Sequence, residues 1–293
     1  MRVVITGGSG FVGTHLTRAL ADSGHQVVVV SRGTRRRPRR SNVSFVKADL
    51  ADSPVPLDVF SGADVVIHLV GIIRERGKQT FRRINAGAAE RVADAAARAN
   101  VPHLIHQSAL GADPDPRYPY LASKWQGEEF VRGSGVPCTV LRPSLIYGPG
   151  DGFFTLIAKL VKLNPVVPIP GDGQALFQPI SIGDVVRCHQ IAIERGPDGT
   201  VHEIGGPQHF TYEDLVLTVK RSLGLYRFTA HVPVRAMLPL AYVMDKVLPR
   251  PPVTPVQLRL LERNNITRLD SVMRAFDFQP ERFTDNLGYL GDY

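Results

Sequence analysis

The sequence contains little cysteine, and its two cysteines, Cys138 and Cys188, lie far apart. They are too few for a disulfide framework or a thiolate metal site. No apolar run approaches the ~20 residues that a membrane-spanning helix requires. Arg2 is followed directly by a strand pattern, without the apolar segment and cleavage site of a signal peptide. We therefore expect a globular protein of the cytoplasm.

Positive charge is concentrated in one short segment. The formal net charge is +8, and SRGTRRRPRR places six arginines between positions 32 and 40. Such a run binds an anionic partner in some proteins and is a solvated loop in others. Interleaved aromatic residues, zinc-ligand spacing and a helix-turn-helix pattern are missing, so we expect no nucleic-acid partner.

Short apolar runs alternate with helical patterns in the first half of the chain. Strands are predicted at 3–6, 26–30, 43–48, 64–70, 103–108 and 138–144, and helices at 11–22, 79–99 and 118–133. The strands are rich in valine and isoleucine, as in strands covered on both faces. This order predicts an α/β fold with a doubly wound parallel sheet, whose ligands bind beyond the carboxyl ends of the strands.

The pattern changes after about residue 150. Turn-rich stretches separate predicted helices at 151–163, 182–195, 212–223, 235–247 and 255–262. We predict a sheet domain over residues 1–150 and a smaller, mostly helical lobe over 151–293, with some segments returning to the sheet. The apolar segment 232–249 has four interpretations: a packed helix, which we favour, the lining of a lipophilic pocket, a partner-docking helix, or a membrane-surface helix.

A glycine pattern marks the junction of the first strand and first helix. Gly7, Gly10 and Gly13 are spaced as G-x-x-G-x-x-G. We assign Gly7 to a tight turn, Gly10 to close approach of a pyrophosphate, and Gly13 to close helix–strand packing. Free N–H groups at the start of the helix face the same anion. Residues 1–150 are therefore predicted to form a dinucleotide-binding Rossmann domain.

Acidic residues are missing between Asp22 and Asp49, a range that includes the end of the second strand. A carboxylate there binds the ribose 2′-hydroxyl of NAD(H) and repels a 2′-phosphate. Ser31 and Arg32 occupy this position and suit a phosphate. We expect NADP(H) to be preferred, with NAD(H) as the alternative and with Asp49 accepting from the adenine amine. Residues 35–40 either join the phosphate site or form a solvated loop.

Tyr120 and Lys124 lie four residues apart and share one face of a predicted helix. Ser108 follows the fifth strand at the same predicted sheet edge as the glycine turn. We expect the Lys124 cation to lower the pKa of Tyr120 and to bind the nicotinamide ribose. Tyr120 then exchanges a proton with a substrate oxygen that Ser108 holds. Tyr118 is the poorer candidate, because Ala122 occupies its i+4 position.

Over roughly residues 1–200 the sequence resembles the extended and atypical short-chain dehydrogenase/reductase family. The matching motifs are TGGSGFVG, ADL, VIHLVG, RINAGAAERV, the Ser–Tyr–Lys set and LRPSLIYGPGD. The resemblance implies a Rossmann fold, a Ser–Tyr–Lys active site and a C-terminal substrate lobe. Matching positions imply further cofactor contacts by Phe11, Val12, Leu50, Leu69, Val70, Gly71, Asn85, Pro143 and Ile146.

A narrower resemblance concerns QSALGAD, RPSLIYGPGDGFF, FQPISIGDVV and TPVQLRLLERNNIT. These stretches are similar to the branch that contains the nucleotide-binding accessory subunit of respiratory complex I and its bacterial relatives. The resemblance implies NADPH binding with a structural role, whereas the Tyr120–Lys124 pair leaves catalysis open.

Two functions therefore stand as expectations. The first is hydride transfer at a secondary alcohol or carbonyl of a small, lipophilic substrate, by an oxidoreductase or epimerase. The second is a non-catalytic NADPH-binding subunit of a respiratory quinone oxidoreductase complex, peripheral to the membrane. We identify no sugar-nucleotide signature in the C-terminal lobe. His68, His103 and His106 lack partners at metal-ligand spacing and, like Gln178 and Asp184, are expected to be structural.

Overall fold

The computed structural model describes residues 1–33, 40–51, 55–249 and 251–293. The strands are β1 (Arg2–Thr6), β2 (Gln26–Ser31), β3 (Val43–Lys47), β4 (Val65–His68), β5 (Leu104–Gln107), β6 (Cys138–Pro143), β7 (Ile146–Tyr147), β8 (Val166–Pro170), β9 (Leu176–Phe177), β10 (Ile180–Ser181), β11 (Val201–Ile204), β12 (Phe210–Thr211) and β13 (Phe228–Val232). The helices are α1 (Phe11–Asp22), α2 (Leu57–Phe60), α3 (Gly87–Arg98), α4 (Pro119–Gly133), α5 (Phe153–Leu163), α6 (Ile182–Arg195), α7 (Tyr212–Ser222), α8 (Val234–Val247), α9 (Pro255–Leu260) and α10 (Ser271–Phe276). A π-helical turn (Arg82–Ala86) precedes α3, and 3₁₀ turns cover Phe283–Asp285 and Gly288–Asp292.

Seven strands form one parallel sheet in the order β11-β6-β5-β4-β1-β2-β3. Val3, Val4 and Ile5 of the central strand β1 are fully buried, as expected for a strand covered on both faces. The predicted doubly wound parallel sheet is therefore confirmed. The strand order reverses between β1 and β4, and ligands of such sheets bind beyond the carboxyl ends of the strands at this point.

The chain divides into two compact units. The first unit comprises Met1–Pro143 and Ile182–Ile204, and the second comprises Ser144–Ser181 and Gly205–Tyr293. Helix α6 packs on α1 and strand β11 pairs with β6, so both belong to the first unit although they follow residue 150. The sequence analysis missed β11, because its four residues VHEI include two polar ones and form an edge strand.

The second unit has an aromatic core and a parallel two-stranded ribbon. The rings of Tyr147, Phe154 and Phe283 contact one another, with centroids 4.8–6.2 Å apart. Strands β8 and β13 pair along five residues each. In the described part of the chain, no helix combines the length and the apolar character needed to cross a bilayer.

Candidate active site

The glycine turn connects β1 to α1 in the first unit. Gly7 has a φ of +78°, a left-handed conformation that favours glycine, and its N–H donates to the Val30 carbonyl of β2. A Cβ atom on Gly7 would lie 3.0 Å from the backbone of Leu69 and Val70. One on Gly13 would lie 2.5 Å from the Gly7 carbonyl oxygen. The tight turn and the close packing that the sequence predicted are thus both present.

The start of α1 fits an anion. Its N-cap residue is Gly10, no side chain caps the helix, and its first turn contains no acidic residue. The N–H groups of Phe11, Val12 and Gly13 belong to the first turn, where helical N–H groups have no intrahelical acceptor. These donors and the positive end of the helix dipole suit a pyrophosphate.

The predicted 2′-phosphate site is only partly described. The Ser31 hydroxyl donates to the Gly33 carbonyl, and Arg32 is exposed beside it. Arg35, Arg36, Arg37 and Arg39 lie outside the described residues. Arg40 forms an ion pair with Asp22 at the end of α1, so one member of the run has an intramolecular partner. The contact of Ser31 and Arg32 with a phosphate stays a prediction.

Asp49 and Leu50 follow β3. The Asp49 carboxylate accepts from the Ala51 N–H at 3.1 Å, which stabilises a local turn. Leu50 is buried, and its carbonyl accepts from the Arg91 guanidinium at 2.7 Å. Their predicted cofactor contacts are not tested by this geometry.

The loop after β4 links the glycine turn to the predicted catalytic helix. Its residues Leu69 and Val70 lie against Gly7, whereas Gly71 lies against α4. A Cβ atom on Gly71 would be 3.7 Å from Lys124 Nζ and 3.5 Å from the Asn85 side-chain oxygen. The two predicted sites are therefore separated by only one short loop.

Asn85 holds this loop in place. Its side chain is fully buried, accepts from the Ile72 N–H at 2.7 Å and donates to the Ile72 carbonyl at 3.0 Å. It also donates to Ser123 on α4, at 3.0 Å. Asn85 lies in the π-helical turn, a feature found often at functional sites. The geometry gives Asn85 a positioning role, and its direct contact with a cofactor stays a prediction.

Ser108 directly follows β5, and Lys124 reaches the carboxyl end of the same strand. The Lys124 ammonium group is buried and donates to the carbonyl of Gln107, the residue before Ser108, at 2.7 Å. The buried Ser108 hydroxyl has no hydrogen-bond partner among the described residues. Tyr120 lies one helical turn before Lys124, with its ring packed edge-on against Phe81 at 5.8 Å. A buried hydroxyl with unused hydrogen-bonding capacity suits a substrate oxygen.

Burial controls the protonation of Tyr120 and Lys124. The expected lowering of the Tyr120 pKa is not found: burial raises the pKa of Tyr120 to about 12. Burial also lowers the pKa of Lys124 to about 8, and the Glu128 carboxylate opposes that shift. Tyr120 is therefore protonated near pH 7, and Lys124 is largely charged. The direction differs from the expectation because the shift is caused by desolvation of the buried phenol, which disfavours its charged form.

Sequence reasoning missed the ion pair behind Lys124. Glu128 lies one turn further along α4, is fully buried, and accepts from the Arg142 guanidinium of β6 at 2.9 and 2.6 Å. The bidentate pair fixes α4 against the sheet. The sequence feature that could have indicated Glu128 is its i,i+4 spacing from Lys124. This spacing is also common on exposed helices.

His68 and His106 form a stacked pair on neighbouring strands, with ring centroids 5.3 Å apart. Burial, followed by the charge of Lys124, lowers the pKa of His68 to about 3 and that of His106 well below its usual range. Both imidazoles are neutral near pH 7 and add no positive charge beside Lys124. His103 is also buried, with its ring 3.1 Å from the Thr139 hydroxyl, and a structural role for the three histidines stays a prediction.

Two predicted residues near the nicotinamide belong to different units. Pro143 ends β6 in the first unit and accepts from the Leu110 N–H. Ile146 lies in the second unit, where it pairs with Ile180. The buried Gln178 accepts from the Thr267 N–H and donates to the Gly206 carbonyl, as a structural residue does. Asp184 is buried in the first turn of α6.

The Rossmann-type sheet and the glycine turn define a protein that binds a nicotinamide dinucleotide. The chain belongs to the NAD dependent epimerase/dehydratase family, whose model matches residues 3–205. The resemblance to extended short-chain dehydrogenases/reductases is thereby confirmed.

Relatives of this chain include both reductases and respiratory-complex subunits. It is 40% identical over 170 residues to the ceramide reductase of Caulobacter vibrioides, an alignment that covers 57% of this chain and 53% of that protein. It is 30% identical over 221 residues to the mitochondrial NADH dehydrogenase (ubiquinone) 1 alpha subcomplex subunit 9 of Arabidopsis thaliana. That alignment covers 72% of this chain and 55% of the plant protein. The chain thus spans about half the length of these relatives. Its fold is shared with UDP-glucuronic acid 4-epimerase from Bacillus cereus, which was solved with UDP-glucuronic acid and NAD. The TM-score is 0.78 at 21% sequence identity, and the match covers 100% of this chain and 98% of that chain.

Proposed function

We propose that this protein is an NADP(H)-dependent oxidoreductase or epimerase that acts on a secondary alcohol or carbonyl. The observation that carries the proposal is the loop Leu69–Gly71, which packs against Gly7 at one end and lies beside Lys124 at the other. A dinucleotide on the glycine turn would extend along this loop toward Ser108, Tyr120 and Lys124.

Each of the three side chains has a distinct role in this proposal. When bound, NADP(H) supplies the hydride chemistry. The Tyr120 hydroxyl, which is protonated near pH 7, donates a proton to a carbonyl oxygen during reduction. The Ser108 hydroxyl donates a hydrogen bond to the same oxygen and so orients it. The Lys124 ammonium group stabilises the phenolate that proton donation leaves behind, and binds the nicotinamide ribose.

The proposed substrate is a small lipophilic ketone or alcohol. The similarity to a ceramide reductase supports an apolar molecule with a reducible carbonyl. The absence of a recognisable sugar-nucleotide signature in the C-terminal sequence argues against a nucleotide sugar.

Arg32 tests the cofactor preference. Arg32→Ala is expected to weaken NADPH binding about tenfold, the loss expected for one charge-assisted hydrogen bond, and to leave NADH binding unchanged. Titration of NADPH and NADH fluorescence measures both affinities. Arg98→Ala, which removes an exposed arginine at the end of α3, is the matched control. Equal NADPH affinity in the parent and the Arg32 variant contradicts the preference.

A second candidate function is a non-catalytic, NADPH-loaded subunit of a respiratory complex. The 30% identity to a mitochondrial NADH dehydrogenase subunit over 72% of this chain favours it. The two functions differ in how long the cofactor stays bound. We expect purified protein loaded with NADPH to exchange it rapidly when chased with excess NADP⁺, as an enzyme must. Nucleotide that stays bound until the protein unfolds supports the structural function instead.

A further inference from the structure

Large exposed apolar side chains are concentrated in the second unit. Within the described residues, most of them lie in two stretches, 163–166 and 226–248. Exposed apolar clusters of this kind mark interaction surfaces. The hydride-transfer proposal uses neither stretch.

The first surface is one face of the β8–β13 ribbon. Successive side chains of a strand point to opposite faces, and Val167 and Ile169 of β8 are buried in the core of the unit. The opposite face carries Val166, Pro168, Phe228, Ala230 and Val232, here called the ribbon face, and ends at Pro170, which is buried. All five residues of the ribbon face are apolar, although the solvated face of a strand normally carries polar residues. Phe228 is 79% exposed, and Tyr226 just before it is 97% exposed.

The second surface lies on α8. Val234 and Ala241 are buried against Leu258 of α9, so one face of the helix is packed. A second apolar row follows i, i+4, i+7, i+11 spacing and is exposed. This row, here called the α8 stripe, consists of Ala236, Leu240, Val243 and Val247. Leu240 is 62% exposed and Val247 is 71% exposed.

The chain segments that carry both surfaces are rich in positive charge, although Glu213 of α7 pairs with His231 of β13 at 3.4 Å and Glu262 lies near Gly171. Residues 159–166 and 220–249 contain seven lysines and arginines and a single acidic residue, Asp245. Apolar residues flanked by lysine and arginine are typical of protein segments that lie at an anionic bilayer interface. A second copy of this chain would bring the same positive charge to the contact and would be repelled.

We propose that the second unit docks on the surface of an anionic lipid bilayer through the ribbon face and the α8 stripe. Phe228 and Leu240 enter the interfacial region, and the surrounding lysines and arginines contact lipid phosphates. This placement is independent of the Ser108, Tyr120 and Lys124 chemistry, so either inference stands if the other fails.

Vesicle co-sedimentation tests the proposal. We expect the protein to bind mixed phosphatidylcholine–phosphatidylglycerol vesicles at least about tenfold more tightly than phosphatidylcholine vesicles, and to be released by high salt. Phe228→Ser, and separately Leu240→Gln combined with Val243→Gln, should each weaken binding about tenfold or more. Because these side chains are exposed, the variants should keep the parent's melting temperature.

Leu269→Ser is the control, because it removes an exposed leucine of the same unit that belongs to neither surface. Its vesicle binding should equal that of the parent. Absence of binding, equal binding to both vesicle types, or variants that bind as the parent does would overturn the proposal. A dimer in analytical ultracentrifugation that is lost in the same variants would also overturn it, in favour of self-association.

Discussion

Tyr120→Phe is expected to lower the rate of carbonyl reduction by about 10²–10⁴-fold, the usual contribution of a positioned general acid. The substitution removes only the phenolic hydroxyl, so the ring packing against Phe81 is kept. NADPH affinity and melting temperature should therefore equal those of the parent. Single-turnover oxidation of bound NADPH with a panel of lipophilic ketones, followed by fluorescence, measures the effect.

Tyr118→Phe is the matched control, because Tyr118 precedes α4 and lacks a lysine at i+4. It should retain parental turnover. If Tyr120→Phe kept full turnover while Tyr118→Phe lost it, the wrong tyrosine would have been assigned. If the panel contained a turned-over substrate and neither change mattered, the Ser–Tyr–Lys mechanism would be wrong for this protein.

The elements that position the site were largely predictable, because each has a local signal. Helix α1 has the predicted bounds, 11–22. The glycine turn determines where it starts, and the apolar residues Val12, Leu16 and Leu20 determine which face is buried. Helix α6 likewise has the predicted bounds, 182–195. Lys124 bonds to the carbonyl of Gln107, the residue before Ser108, at the carboxyl end of β5, the edge at which ligands of parallel sheets bind.

What the sequence did not reveal depends on partners distant in the chain. Glu128 and Arg142 are common surface residues in isolation, and only the packing of α4 on β6 makes them a buried pair. The pKa of Tyr120 was predicted in the wrong direction, because one-dimensional spacing reveals the neighbouring lysine but not the degree of burial. The ribbon face was missed because β8 and β13 are 62 residues apart at their paired starts, Val166 and Phe228.

Gly10→Ala is expected to weaken NADPH binding about tenfold or more, at a smaller cost in stability than Gly13→Ala. Gly10 has an extended backbone, with φ −77° and ψ −176°, that alanine adopts readily. Within 4 Å, its added Cβ would meet only the Gly7 carbonyl oxygen, at 3.2 Å. The methyl group would project where the pyrophosphate must approach the backbone, so the loss should fall on affinity. NADPH titration and thermal unfolding, measured on the same samples, separate the two effects.

Two further glycines make this test specific. Gly13→Ala places its Cβ 2.5 Å from backbone atoms of Gly7 and Gly8, so it should destabilise the fold by about 1–3 kcal/mol, as overpacking does. Gly152→Ala changes the N-cap glycine of α5, where a Cβ meets nothing within 4 Å, and should leave NADPH affinity unchanged. Parental affinity in Gly10→Ala would mean that the pyrophosphate does not lie on this turn. Lost affinity together with a melting temperature as low as that of Gly13→Ala would instead mean that Gly10, like Gly13, serves packing, and the anion site would have to be sought elsewhere along the carboxyl edge of the sheet.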